Sequence, residues 1–254
     1  MSLVLDSITA RYGPLLAVDE LTANAAPGRL TAVIGPNAAG KSTLLRCVAG
    51  IQSCMGSVEL GGRAVDSMAD RERARGIAWM AQRPRSDVPM TVREMVELAR
   101  PRSEQDPGRC RDLMHSLELD DLRSRLVPAL SVGQQQRVAL ARTLYQLNTS
   151  HGMLVLDEPT APMDPRHAML AIEHIRDAAQ QGATVLMSLH DIGLAAAVAD
   201  DAWLLRAGRL VGGGPSGEVL VPDLLQEAFG IEYESLPRSD GSCWLAPAPP
   251  SNPV

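Results

Sequence analysis

The chain has 254 residues, of which 45% are hydrophobic and 21% charged, a balance typical of a folded protein with a sizeable core. The formal net charge of −6 excludes a broad basic surface, and an aromatic content of 3% leaves few rings on which bases could stack. No run approaches the roughly 18 apolar residues that span a bilayer, and the N-terminus lacks the cationic start of a secretory signal. We therefore expect a cytoplasmic protein that neither crosses a membrane nor binds nucleic acid.

The first part of the chain predicts a strand, a loop and a helix, followed by a hairpin. Residues 31–34 favour a buried strand, a glycine-rich stretch follows, and residues 41–49 predict a helix that Gly50 ends. Residues 57–60 and 63–65 flank Gly61-Gly62, a dipeptide that favours a tight turn because both positions can adopt positive φ. An antiparallel β patch is therefore expected beside the first unit.

The second half of the chain predicts two parallel strands with a helix between them. Residues 153–156 and 184–188 are short apolar runs bounded by breakers, as expected of strands buried on both faces. The connecting helix is predicted to start at Asp164-Pro165 and to stop at Gly182.

These elements predict an α/β fold with three sections. The core comprises residues 1–83 and 151–235 and contains a mainly parallel sheet with the antiparallel patch. Residues 84–150 show helical patterns and predict an inserted helical subdomain. Residues 236–254 form a proline-rich tail, and we expect residues 245–254 to lack fixed structure.

The cysteines are scattered along the chain and form no Cys-x-x-Cys pair: Cys47, Cys54, Cys110 and Cys243. This arrangement favours buried, reduced thiols over disulfides or metal ligands. No metal site is therefore assigned to cysteine.

One segment of the first unit fits the phosphate-binding pattern G-x-x-x-x-G-K-[ST], after a strand and before a helix, and predicts a P-loop NTPase core. Its small residues let backbone N–H groups point at phosphate oxygens, while Lys41 reaches the β- and γ-phosphates and Ser42 ligates Mg²⁺. If Ala38 needs a positive φ, its side chain costs about 1 kcal/mol. The candidate nucleotide-binding residues here are Gly35, Pro36, Asn37, Ala38, Ala39, Gly40, Lys41, Ser42 and Thr43.

Kinases, GTPases, motors and helicases share such a loop, so a second motif must distinguish among them. The apolar run at residues 153–156 ends in Asp157 and Glu158. Hydrolysis of a magnesium nucleotide requires such a pair, with Asp157 holding Mg²⁺ through its hydration shell and Glu158 orienting and deprotonating water.

A third motif, Leu-Ser-Val-Gly-Gln at residues 130–134, opens a predicted helix upstream of that pair. Ser131 can cap this helix, whose N–H groups would then face an anion. With the other two motifs, this segment makes residues 3–233 resemble the ATP-binding cassette of ABC transporters. The resemblance implies a head-to-tail homodimer that sandwiches two ATP molecules, each between one subunit's phosphate-binding loop and Ser131, Gly133 and Gln134 of the other.

The resemblance also implies roles for four isolated residues. Tyr12 would stack on adenine. Gln82 would contact Mg²⁺ or water and would stand at the start of the helical subdomain. Asp164 would lie in the loop that communicates across the dimer, and His190, directly after a parallel strand, would bond the γ-phosphate. A surface tyrosine at position 12, a polar loop glutamine at position 82 and a plain helix cap at position 164 remain alternatives.

Val132 departs from the family pattern, which has two successive glycines where this chain has Val132 and Gly133. If Val132 must adopt a positive φ, the strain is about 1–3 kcal/mol and opposes efficient closure of the dimer. An ATP-binding cassette with little turnover, regulatory or structural, therefore stays an alternative to an ATPase.

Two further segments are similar to the ATPases of iron-chelate, haem and vitamin B12 importers. They are residues 199–231, which end in an E-V-L-x-x-x-L-L-x-x-x-F-G-I pattern, and residues 91–100, which in those importers face the membrane subunits. The resemblance implies an ATPase at the cytoplasmic face of the membrane, bound to two permease subunits and acting indirectly with a substrate-binding protein. Haem, ferric siderophore and cobalamin remain open as substrates, as does another small solute.

Overall fold

The computed structural model describes residues 1–84, 88–147, 152–237 and 243–248. Its strands are β1 (Leu3–Tyr12), β2 (Leu15–Ala25), β3 (Leu30–Ile34), β4 (Met55–Leu60), β5 (Arg63–Ala64), β6 (Ile77–Met80), β7 (Met153–Asp157), β8 (Thr184–Ser188), β9 (Asp201–Arg206), β10 (Arg209–Pro215), β11 (Tyr233–Pro237) and β12 (Cys243–Pro247). Its α-helices are α1 (Lys41–Val48), α2 (Asp70–Gly76), α3 (Val92–Glu97), α4 (Pro107–Ser116), α5 (Val132–Gln146), α6 (Pro165–Gln180), α7 (Ile192–Val198), α8 (Ser216–Val219) and α9 (Pro222–Phe229).

A six-stranded sheet in the order β10-β9-β3-β8-β7-β6 forms the centre of the fold. All neighbouring strands are parallel except β10, which pairs antiparallel with β9. Every residue of β3, β7 and β8 is buried, because the sheet lies between two apolar clusters. The mainly parallel sheet is therefore confirmed, and its double burial explains why these strands read as continuous apolar runs.

A second, antiparallel sheet in the order β2-β1-β4-β5 covers one face of the central sheet. The predicted hairpin is β4–β5, in which Gly61 and Gly62 have φ of 60° and 78°. Helix α1 packs between the two sheets through Leu44 and Leu45, which share one apolar cluster with Leu5 of β1. β1 and β2 were not predicted, because shifts in their pairing register break the alternation of buried and exposed residues.

The predicted helical subdomain contains α3, α4 and α5 among its described residues. Its buried side chains, such as Val96, Cys110 and Leu140, belong to the same apolar cluster as Ile34 and Leu156 of the central sheet. Outside one isolated bridge between residues 91 and 126, the described part of this segment forms no β pairing. The exact boundaries of the subdomain stay a prediction.

The C-terminal segment contains a hairpin, so the expectation that residues 245–254 lack fixed structure is wrong for residues 245–248. Strands β11 and β12 pair antiparallel, and the amide of Ala248 donates to the carbonyl of Glu232 at 2.8 Å. Leu245 is 8% exposed and joins the apolar cluster of the central sheet. This apolar contact and the backbone ladder order a segment whose prolines had suggested a trailing coil, and residues 249–254 lie outside the described residues.

Three of the four cysteines have described side chains, and all three carry free thiols, as expected. Cys47 and Cys110 are buried and Cys54 is half-buried. Burial, together with the neighbouring Cys54, raises the pKa of the Cys47 thiol to about 12. None of the helices in the described ranges is both long enough and apolar enough to traverse a lipid bilayer.

Candidate nucleotide-binding site

The phosphate-binding loop connects β3 to α1 and has a backbone that only small residues permit. At Gly40, φ is 102°, and a Cβ there would overlap the carbonyl oxygen of Ala17. A Cβ at Gly35 would overlap the carbonyl oxygen of Leu205 in the same way. Ala38 has φ of 61°, so the positive φ considered for it is present, at a local cost of about 1 kcal/mol.

Lys41 begins α1 and folds back into the loop, where it is only 6% exposed. Its ammonium group donates to the carbonyls of Gly35 at 2.6 Å and Pro36 at 3.1 Å. Burial lowers the pKa of Lys41, while the carboxylates of Glu158 and Asp157 act in the opposite direction. The loop thus holds a cation that can exchange carbonyl partners for phosphate oxygens.

Asp157 is the last residue of β7 and lies at the edge of the central sheet where α1 begins. Its Oδ1 accepts hydrogen bonds from the hydroxyls of Ser42 at 3.1 Å and Ser188 at 2.8 Å. Ser188 is paired with Asp157 across β7 and β8, and its Oγ accepts the backbone N–H of Glu158 at 2.9 Å. The carboxylate of Asp157 and the hydroxyl of Ser42 form an oxygen donor set that suits Mg²⁺.

The sequence interpretation missed Ser188. The signal that could have identified it is its position as the last residue of a predicted parallel strand, because the carboxyl ends of parallel strands meet at one edge. The hydroxyl of Ser188 fixes both the side chain of Asp157 and the backbone of Glu158.

Glu158 directly follows β7 and has a left-handed backbone with φ of 48°. Its side chain contacts His190, whose Nε2 lies within hydrogen-bond distance of Oε1. The carbonyl of Glu158 accepts from Nε2 of Gln136 in α5 at 3.3 Å. The acidic residue and the histidine named from sequence therefore meet, although they are far apart in the chain.

A cavity of about 380 Å³ is lined by most of the candidate residues of the core, and Gly35, Pro36 and Asp157 are outside its lining. Its lining includes Tyr12, Gln82, Lys41, Glu158 and His190, and Leu15, Leu16 and Ala17 were not foreseen as part of its wall. The remaining candidates that line it are Asn37, Ala38, Ala39, Gly40, Ser42 and Thr43.

Tyr12 stands at the rim of this cavity and is 44% exposed. Its hydroxyl donates to Oε1 of Gln52, and the guanidinium of Arg46 lies 6.0 Å from the centre of its ring. The ring is thereby held in place with one surface accessible, an arrangement that suits stacking on a base.

The residues of the third motif lie at the N-terminus of α5, which we name the signature helix, and not in this cavity. Ser131 and Gln134 form a capping box: the Ser131 hydroxyl accepts the N–H of Gln134 at 3.3 Å, and Oε1 of Gln134 accepts the N–H of Ser131 at 3.0 Å. Ser131, Gly133 and Gln134 are absent from the described lining of the cavity that contains Lys41.

Val132 does not have the backbone strain that its position suggested. It is the first residue of α5, it lies outside the set of non-glycine residues with positive φ, and it is 69% exposed. The strain explanation is therefore wrong, because the residue adopts helical φ, which valine tolerates. It is Gly133 that is sterically restricted, since a Cβ there would lie 2.9 Å from the carbonyl oxygen of Pro162.

Asp164 caps the helix that was predicted to start there. Its Oδ1 accepts the N–H of His167 at 3.1 Å, and α6 extends from Pro165 to Gln180. Residues 159–164, which connect Glu158 to α6, we name the communication loop. Asp164 is thus a helix cap in this chain, and its role across a dimer stays a prediction.

Comparison with known proteins identifies relatives of the whole chain. The sequence model described as ABC transporter matches residues 18–161. The chain is 37% identical to the Hemin import ATP-binding protein HmuV of Rhodopseudomonas palustris (strain BisA53), over 97% of this chain and 95% of that protein. It is 38% identical to the protein of the same name from Streptomyces coelicolor, over 83% of this chain and 77% of that protein.

Among solved structures, an ATP-binding cassette in a dimeric post-hydrolysis state bound to ADP and Pi is similar to this chain. The TM-score is 0.74 at 23% identity, and the alignment covers 85% of this chain and 99% of the other. At this level of identity the likeness concerns the fold.

Proposed function

This chain belongs to the ABC transporter family, and from that premise we propose that its ATPase activity drives import of haem or another iron chelate. The observation that carries the ATPase assignment is that Lys41, Ser42 and Glu158 line one cavity. The carboxylate of Asp157 accepts a hydrogen bond from the hydroxyl of Ser42 at that place. The relatives named for hemin import support the substrate class, since they match nearly the full chain.

Binding of ATP is assigned to the phosphate-binding loop and to Tyr12. The backbone of the loop leaves no room for a side chain at Gly35 and Gly40, and Lys41 supplies a buried positive charge. Together they suit the triphosphate, while the ring of Tyr12 at the rim suits adenine.

Ser42, Asp157 and Gln82 are the residues proposed to hold Mg²⁺, because Ser42 and Gln82 line the cavity and the hydroxyl of Ser42 contacts the carboxylate of Asp157. The ion would neutralise negative charge on the phosphates. Ser188 contributes by fixing the carboxylate of Asp157 at 2.8 Å.

Glu158 is the proposed general base. Its carboxylate borders the cavity beside Lys41, so it can orient a water molecule and accept its proton. His190 contacts this carboxylate and lines the same cavity, which suits a group that orients Glu158 and contacts the γ-phosphate.

A second copy of the chain is proposed to complete each site. The N-terminus of the signature helix is exposed at Val132 and is a favourable location for negative charge, yet Ser131, Gly133 and Gln134 do not line the cavity at the loop of their own chain. A head-to-tail homodimer would bring this helix end onto the nucleotide of the other subunit. The alternative of a passive ATP binder has lost its support, because it rested on strain at Val132.

The membrane partner is proposed to be a pair of permease subunits, which would place the chain at the cytoplasmic face of the membrane. Residues 91–100, which include α3, are the candidate contact. Beside α3 lies a groove of about 470 Å³ lined by Arg93, Arg111 and Arg123 among others. A substrate-binding protein would act on the permease and not on this chain.

The proposal is tested by reconstituting the chain with its permease partner in lipid vesicles. Uptake of hemin that requires MgATP, and that is lost with the Glu158→Gln chain, is the expected result. Ferric siderophore and cobalamin serve as competing substrates in the same vesicles. ATP-driven uptake of cobalamin without uptake of hemin or iron chelate would contradict the substrate class, and absence of ATP hydrolysis would contradict the ATPase assignment.

A further inference from the structure

The first turn of α6 carries Arg166 and His167, although the partial positive charge of a helix N-terminus disfavours a cation such as Arg166 there. Both contact the carboxylate of Glu118, which follows α4. Arg166 binds it with two nitrogens, one of them 2.6 Å from Oε2, and Nε2 of His167 lies 3.4 Å from the same oxygen. Arg166 lowers the pKa of Glu118, so this carboxylate keeps its charge under ordinary conditions.

His167 connects Glu118 to the communication loop. Its Nδ1 lies 2.5 Å from Oδ2 of Asp164, while its backbone N–H donates to Oδ1 of the same residue. These contacts lower the pKa of Asp164. The two ring nitrogens thus face two carboxylates, one on the helical subdomain and one at the end of the loop.

Glu118 is in turn attached to the signature helix. The carbonyls of Leu117 and Glu118 each accept a hydrogen bond from Nη1 of Arg137 at 3.1 Å. Arg137 is part of α5 and only 7% exposed, so it cannot reorient without losing buried contacts. The backbone of Glu118 is therefore fixed to α5, and its carboxylate should move with this helix.

The communication loop and Glu158, the residue directly before it, each contact α5. The carbonyl of Pro162 approaches Gly133 so closely that a Cβ there would lie 2.9 Å away. At the start of the loop, the carbonyl of Glu158 accepts from Gln136, a side chain 2% exposed. The charged groups add a third connection at the far end, next to Asp164.

We propose that Glu118, Arg166 and His167 form a side-chain bridge that holds the communication loop on the signature helix of the same chain and positions Asp164. The three are positioning residues, and the functional part of this inference rests on the proposed ATPase. In a dimer, the end of the signature helix would bind one nucleotide and the communication loop would face the other. The bridge makes this helix end and this loop move as one unit.

The bridge itself is tested without nucleotide, by hydrogen–deuterium exchange of peptides that cover residues 159–168. Glu118→Gln keeps the shape of the side chain and removes its charge, and should accelerate exchange in these peptides by about threefold to fivefold. Glu72→Gln is the matched control, because Glu72 of α2 and Arg63 of β5 form a similarly exposed two-nitrogen pair far from this loop in sequence. Exchange at the parental rate in the Glu118→Gln chain would overturn the bridge.

Swapping the two charges distinguishes the ion pair from a general packing effect. Glu118→Arg combined with Arg166→Glu should return the rate of hydrogen–deuterium exchange to within about twofold of the parent, whereas Arg166→Glu alone should raise this rate. If the double variant exchanges faster than either single variant, the pair is not the holding contact.

The functional consequence is measured as kcat and KM for MgATP. Glu118→Gln should lower kcat by about twofold to tenfold while KM and the nucleotide dissociation constant stay within about twofold of the parent, because no phosphate contact is changed. Parental kcat together with faster exchange would refute the positioning role. A parent chain without turnover would contradict the proposed function instead, and the exchange comparison would still decide whether the bridge exists.

Discussion

Replacing Glu158 by glutamine should separate hydrolysis from nucleotide binding. The backbone of Glu158 is held by Ser188 at its N–H and by Gln136 at its carbonyl, and neither hydrogen bond uses the carboxylate. Glutamine has nearly the same shape, so the left-handed turn at φ of 48° should persist. The substitution therefore removes the base and the carboxylate contact with His190, and leaves the backbone support intact.

The size of the effect follows from what the carboxylate does. Loss of a positioned base slows hydrolysis by about 10²–10⁴, which corresponds to about 2.7–5.5 kcal/mol of transition-state free energy. Binding should respond differently, because Lys41 and the loop N–H groups are unchanged. The carboxylates of Glu158 and Asp157 lie near Lys41 and would repel the negative phosphates. Removing one of these charges should therefore leave the dissociation constant of MgATP unchanged or lower it.

The assay combines single-turnover hydrolysis at saturating MgATP with a nucleotide-binding measurement. Size-exclusion chromatography with ATP should show a persistent dimer that the parent forms only transiently. Glu173→Gln makes the same chemical change on the exposed side of α6 and should behave as the parent. Parental hydrolysis by the Glu158→Gln chain would refute the general-base role, and a dissociation constant raised more than about tenfold would refute the separation of binding from chemistry.

Four further outcomes are expected. Lys41→Ala should weaken MgATP binding by at least about tenfold in calorimetry, because hydrogen bonds to charged groups contribute about 1.5–3 kcal/mol, and parental affinity would contradict its phosphate contact. Val132→Gly should not raise ATPase activity, since no strain is relieved, and should lower the free energy of unfolding by less than about 1 kcal/mol in urea titration; a gain in turnover would show that the valine obstructs the site. Gly133→Ala should lower that free energy by about 1–3 kcal/mol through overlap with the carbonyl of Pro162, an effect that thermal unfolding would detect and that unchanged stability would disprove. Cys47, whose pKa is raised to about 12, should be alkylated by iodoacetamide at pH 8 far more slowly than in the unfolded chain. The reactive thiolate forms only as the pH rises towards the raised pKa, and at pH 8 it is only about 10⁻⁴ of the thiol. Equal alkylation rates in the folded and unfolded chain, measured by peptide mapping, would contradict the burial of Cys47.

The sequence by itself determined the features whose causes lie close together in the chain. The phosphate-binding loop is contiguous, and its glycines and Lys41 specify the turn and the charge within a single segment. Helix starts at Ser131 and Asp164 were predictable for the same reason, because each cap bonds an N–H three residues ahead. The strands β3, β7 and β8 were identifiable because burial on both faces requires an unbroken apolar run.

The tertiary structure decided the features that depend on pairs distant in sequence. The contact between Glu158 and His190, the support of Asp157 by Ser188 and the ordering of Leu245 each join segments that only the packed sheet brings together. Val132 shows that a motif can also mislead. Its place in the motif suggested backbone strain, but α5 begins at this residue and gives it an ordinary helical backbone. A motif specifies local geometry through neighbouring backbone groups, but which carboxylate meets which cation is set by strand order and helix packing, which no short window of sequence contains.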